Sequence, residues 1–232
     1  MIVDTMTSEE LYREIEKEMN KAAMVRAKRK ALHNVPSNRA KSIIKKDNHL
    51  YLFPLEKSKG EFIDFYTLPF SFGKRSFNKY GRQFTFGIFA NYKGREYCFS
   101  SSDYGVVYAM SMHAVRRYIL RAKNPTIKTN DHKKIAFSLM LFMQSFPYSP
   151  DNRKFFAVIP DGVLLGVEEE GLCVIRTFIS FEMLREYQRP MASKLISNAI
   201  VNLSCIEDPL VVIARDYFLI KFYETQESLD LV

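Results

Sequence analysis

The chain has 232 residues, 34 Lys+Arg against 26 Asp+Glu, 47% hydrophobic and 14% aromatic residues, and nine each of Gly and Pro. That length suits one large domain or a domain with an appended arm, and the composition excludes collagen-like and low-complexity chains. A net charge of +8 attracts polyanions over long range, which makes nucleic acid the first partner to consider.

The opening residues, MIVDTMTSEELYREIEKEMN, lack a basic region followed by an apolar one, and no downstream run is apolar for the roughly 18 residues a membrane helix needs. A cytoplasmic protein with no membrane span is expected. Thr7 and Glu10 form a capping box, and Leu11, Ile15, Met19, Ala22 and Ala23 recur at helical spacing, which predicts a long helix from about Ser8 to Leu32. Its first half is acidic and its second half, VRAKRKAL, is basic, as the helix dipole favours. From Lys21 to Lys46 there are nine Lys or Arg and no acid, so the cations continue past Pro36 in NRAKSIIKK. Residues 1–46 therefore read as a basic helical arm, with Arg26, Lys28, Arg29 and Lys30 as candidate nucleic-acid contacts.

From His49 to Ser100, the runs HLYLFPL, EFIDFYTL, RQFTFGIFA and REYCFS alternate and are rich in aromatics, which predicts three or four antiparallel strands. Asn91 to Gly94 carries a hairpin signal between two such runs. The stretch SFGKRSFNKYGR reads as a long exposed hairpin loop whose Lys74 and Arg75, among aromatics, are candidate phosphate contacts. Asp103 is expected to open a helix, with Val107, Met110, Ala114 and Tyr118 as one apolar row, ending before Asn124-Pro125. A second helix from about Asp131 to Ser145 turns Ile135, Leu139 and Phe142 inward, and a Pro-containing loop follows from Phe146 to Asp151.

KFFAVIP, VLLGV and LCVIRTFI then predict a three-stranded meander whose first turn is a type I′ Asp161-Gly162 dipeptide. Ser180 starts a short helix to about Tyr187, another covers Ala192 to about Asn202, and Asp208-Pro209 opens an acidic C-terminal helix. The order predicts an α+β fold, antiparallel sheets packed with helices, and not a doubly wound parallel sheet. Three regions are expected: the arm at 1–46, an α+β core at 47–205 and the acidic C-terminal helix at 206–232.

Cys98, Cys173 and Cys205 form neither a disulfide framework nor a CxxC knuckle, and His33, His49, His113 and His132 are scattered. No Walker loop, GxGxxG, HExxH, GxSxG or EF-hand loop occurs, so no cofactor and no metal site is expected. What remains is His113, Arg117 and Arg121 at i, i+4 and i+8, with Arg116 beside them. Metal-independent RNA cleavage needs such a set: an imidazole to move a proton and guanidiniums to hold the scissile phosphate, with the 2′-hydroxyl as nucleophile. A solvated basic helix face with a surface histidine has the same spacing.

The elements Ser111-Met112-His113-Ala114 with Arg116, Arg117 and Arg121, then Asp161-Gly162-Val163-Leu164-Leu165-Gly166 and Val174-Ile175-Arg176-Thr177-Phe178-Ile179-Ser180, resemble the RelE-like toxin domains of the barnase, EndoU, colicin and RelE ribonuclease superfamily. The resemblance spans about residues 103–188. It implies His113 as the helix histidine, Arg117 and Arg121 as phosphate-binding positions, and Thr177 as a polar group of a late strand on the same cleft. The aromatic-rich region before Asp103 has no counterpart there, and the late strands hold no second histidine. The leading expectation is an RNA-binding protein, as a metal-independent ribonuclease or a degenerate relative of one. The competing expectation is a non-catalytic interaction protein or an accessory protein of a mobile element, self-associating through Leu11, Ile15 and Met19.

Overall fold

A computed structural model describes residues 2–19, 37–59, 63–101, 107–123, 125–144, 154–169, 172–190 and 192–194, with helical residues at 216–217, 219–221 and 223–224. The protein is α+β, and its described residues fall into two compact units: Met1–Ala109 with Glu169–Leu172, and Met110–Glu168 with Cys173–Val232.

The first unit opens with helix α1, Ser8–Met19. Its capping box forms as expected, with the Glu10 amide donating to Thr7 Oγ1 at 3.2 Å and the Thr7 amide donating to Glu10 Oε2 at 2.8 Å. The helix is described for 12 residues, and the remainder of the stretch to Leu32 lies outside the described residues. Leu11 and Ile15, two of the three apolar positions expected to serve self-association, are completely buried, and the side chain of Met19 lies outside the described residues.

Helix α2 (Ser37–Ile43) leads into an antiparallel sheet of β1 (Asp47–Leu52), β3 (Phe65–Gly73), β4 (Gln83–Tyr92) and β5 (Arg95–Ser101) in that order, with short β2 (Glu56–Ser58) also paired to β3. Nearly every residue of β3 is buried, which accounts for its continuous apolar sequence. The β4–β5 hairpin closes on the pair Tyr92 and Arg95 through Lys93 (φ 50°) and Gly94 (φ 69°), the two positive φ angles of a type I′ turn. The stretch expected to be an exposed loop instead contains helix α3, Lys74–Tyr80, bracketed by Gly73 and Gly81. Phe77 drives this: it packs with Ala40, Ile44 and Phe53 in a small cluster that Tyr51 joins, so the segment folds back to bury an aromatic ring.

The chain passes between the units within β6, Val107–Ser111. The helix expected from Asp103 therefore begins later, as α4 at Met112, because all five β6 residues are buried and a fully buried strand has no helical or alternating period to read. In the second unit, α4 (Met112–Arg121) and α5 (His132–Gln144) accompany β7 (Lys154–Ile159), β8 (Gly162–Glu169) and β9 (Leu172–Ser180), adjacent in the order β7-β8-β9. Asp131 caps α5, its Oδ1 accepting from the amides of Lys133 at 2.9 Å and Lys134 at 3.2 Å. Ile135, Leu139 and Phe142 are buried as expected, together with every other residue from Ile135 to Met143.

The β7–β8 turn differs from the type I′ expectation. Ile159 pairs with Gly162, so Pro160 and Asp161 form the turn, and proline cannot take the positive φ that type I′ requires. Gly162 begins β8 at φ 153°, and a Cβ there would lie 2.3 Å from the Ile179 carbonyl oxygen. After β9 the chain makes two 3-10 turns, Phe181–Met183 and Glu186–Gln188, where a short helix was expected. The loop at 146–151 and the start of the C-terminal helix lie outside the described residues, although Tyr217 stacks on Phe142 with ring centroids 6.0 Å apart.

Candidate functional site

Helix α4 starts at Ser111, whose Oγ accepts from the Ala114 amide at 3.2 Å and donates to the Arg176 carbonyl of β9 at 3.4 Å. Met112, Ala114, Val115 and Tyr118 face inward, which leaves His113, Arg116 and Leu120 on the outward side. Leu120 is 79% exposed.

The spacing argument for His113 and Arg117 holds geometrically: Arg117 Nε donates to His113 Nε2 at 3.2 Å. Arg121, one turn further, is turned toward β9, where its guanidinium donates to the Phe178 carbonyl at 2.6 Å. Thr177 neighbours Phe178 on β9, and Phe178 packs edge-on against the Tyr118 ring with centroids 5.1 Å apart. Side chains alternate along a strand, so Thr177 lies on the face of β9 opposite Phe178 and α4. The structure thus brings His113 and Arg117 together and leaves Arg116 exposed. Arg121 holds the backbone, and Thr177 stands apart from this group.

Lys74 and Arg75 are exposed in the first turn of α3, in the other unit. Arg26, Lys28, Arg29 and Lys30 lie outside the described residues. No family model, curated protein or solved structure matches the chain. Among the described residues, no cluster of three His, Cys, Asp or Glu could hold a metal ion, and no helix is long and apolar enough to cross a membrane.

Beneath the outward face of α4 is a buried polar network that sequence reasoning missed. Tyr118 Oη donates to Asp161 Oδ2 at 2.6 Å, while Asp161 Oδ1 accepts from the Thr126 amide at 3.0 Å and from Thr126 Oγ1 at 2.8 Å. The Ile127 amide donates to Tyr118 Oη at 3.3 Å. One carboxylate thus organises the turn between α4 and α5. Burial pushes the Asp161 carboxyl above its ordinary value, outweighing the opposing hydrogen bonds from Tyr118 and Thr126 and the nearby charge of Lys221. Burial, followed by the Asp161 charge and bond, holds the Tyr118 phenol well above its ordinary value. The available signal was an Asp in a proline-containing turn, which has an adequate local explanation in turn chemistry alone.

Proposed function

We propose that this protein binds nucleic acid, RNA in the first instance, through the outward face of α4 and the turn that follows it. One observation carries the reading. Between Val107 and Gln144 there are seven Lys or Arg and one acid, Asp131, whose carboxylate is occupied in capping α5. Arg116 and Lys128 are exposed, Lys123 reaches Glu182 at 2.6 Å, and Lys133 and Lys134 occupy the first turn of α5, where the helix dipole disfavours cations. A phosphate backbone complements the exposed charges of Arg116 and Lys128.

The pairing of His113 with Arg117 supports a second, catalytic reading as a metal-independent ribonuclease of RelE-like type. A phosphate drawing Arg117 Nε away would free His113 Nε2 to accept the proton of a 2′-hydroxyl. The 2′-oxygen would then attack phosphorus as the P–O5′ bond breaks, leaving a 2′,3′-cyclic phosphate and, after proton return, a 5′-hydroxyl. Arg117 would stabilise the added negative charge.

Incubating the protein with labelled mixed-sequence RNA in EDTA, for wild type, His113→Ala and Arg116→Ala/Arg117→Ala, tests both readings. Binding should weaken as salt rises, and the double arginine variant should flatten the slope of log K against log salt by about 0.7 for each lost contact with a single strand. Binding indifferent to salt sinks the first reading. Cleavage that vanishes in His113→Ala supports the second, and intact RNA in every lane removes it while leaving binding in place.

A further inference from the structure

Two separated segments of the first unit gather cations at one corner. Lys74 donates its backbone N–H to the Lys46 carbonyl at 3.0 Å, continuing the β1–β3 register beyond the pair Asp47 and Gly73. The next amide, that of Arg75, donates to Asp47 Oδ1 at 2.7 Å. Lys45, Lys46, Lys74 and Arg75 are all exposed, and the Arg75 side chain is 92% exposed. Asp47 Oδ2 lies 3.4 Å from Arg75 Nε, and no carboxylate among the described residues pairs with the ammonium of Lys45, Lys46 or Lys74.

Stability gives no reason for this arrangement. Like charges brought together across neighbouring backbone segments repel, and Lys74 and Arg75 occupy the first turn of α3, where the dipole favours acids. The platform beneath them is nevertheless firmly held. Tyr51 Oη accepts the amides of Lys45 at 3.1 Å and Lys46 at 2.9 Å, and the Tyr51 ring packs against the cluster of Ala40, Ile44, Phe53 and Phe77. The backbone is pinned while the four long side chains extend into solvent.

We propose that this corner is a second nucleic-acid surface, gripping the sugar–phosphate backbone without reading bases. The inference rests on the nucleic-acid reading above and extends it to the other unit. Its chemistry favours phosphates: the neighbouring aromatics Phe72 and Phe77 are buried, Tyr51 is packed, half-buried His49 lies edge-on to Tyr51, and half-buried Tyr80 carries Lys79 over its ring. Lysines act as point charges toward phosphate and carry no sequence information.

The test uses the full chain with Lys45→Gln, Lys46→Gln and Lys74→Gln combined, the same three positions changed to Arg, and Arg116→Ala/Arg117→Ala. Binding to two labelled single-stranded RNAs of about 16 nucleotides, one a scramble of the other, is followed from about 50 to 200 mM salt. The Gln variant should lose about two units of salt slope and about tenfold in affinity at the lowest salt, equally for both RNAs. The Arg variant should retain both, and the Gln variant should melt no lower than wild type, since it relieves repulsion.

An unchanged slope in the Gln variant, with a reduced one in Arg116→Ala/Arg117→Ala, overturns this inference and leaves the proposed function standing. If neither variant alters the slope, the nucleic-acid reading itself fails. If polyglutamate displaces RNA as well as unlabelled RNA does at equal charge, the corner serves an acidic polypeptide and the inference is overturned.

Discussion

Asp161 illustrates how a buried charge can hold a turn together at a cost. Its two oxygens receive three hydrogen bonds, from Tyr118 Oη, the Thr126 amide and Thr126 Oγ1. Replacing Tyr118 with Phe would remove one of these donors and leave the Ile127 amide without its acceptor. The expected loss is about 1–3 kcal/mol, readable as a lower urea midpoint with an unchanged slope. Because burial raises the folded carboxyl above its unfolded value of 3.8, the associated stability is present at low pH and lost as pH rises through the folded value. Asp161→Asn removes that titration. The stability of wild type relative to this variant should therefore fall as pH rises above the unfolded value and through the folded one, and a difference flat in pH would refute the assignment. The sequence shows an Asp in a turn but offers no sign of this network, since its partners Tyr118 and Thr126 precede it by 43 and 35 residues.

Single elements were legible where their determinants are local. The β4–β5 hairpin is specified by two positions of positive φ, and the capping box of α1 and the Asp131 cap of α5 are specified within one turn. The β6–α4 boundary was obscured because Val107, Tyr108, Ala109 and Met110 suit a buried strand and a buried helical row equally well. Ser111 resolves it in the structure by capping α4 and tying its start to β9. Ser111→Ala should cost about 0.5–2 kcal/mol, with amide exchange accelerated first in the opening turn of α4. A uniform loss across the second unit would mean that the hydroxyl acts through packing instead. Helix α3 escaped notice for another reason: its seven residues are short for an independent helix, and the apolar cluster that holds Phe77 comes from positions 40 to 53.

The charge of the whole chain has two opposing consequences. A surplus of +8 repels itself in the compact state, so salt should stabilise the fold while weakening any complex with nucleic acid. The melting temperature of the free protein should rise by about 2–4 °C for each kcal/mol of repulsion screened, whereas that of an RNA complex should converge downward on the free value. Parallel movement of the two would contradict electrostatic binding. At this scale the cationic character was visible in composition, and the i, i+4 spacing put His113 and Arg117 on one helical face, where the structure has them in contact. Arg121 and Thr177 were not resolved from spacing, because where each points depends on β9, more than 50 residues away from α4 in sequence and absent from any helical wheel.

Asp47 adds a consequence for the order in which the chain assembles. Helix α3 has no side-chain cap of its own at Gly73, and the carboxylate that serves its second amide comes from a strand 28 residues earlier. The helix is thus incomplete until β1 has found β3, a closure whose entropic cost is met before the bond forms. Consolidation of α3 should follow sheet formation, and destabilising changes at Asp47 should mainly accelerate unfolding while leaving the folding rate nearly untouched.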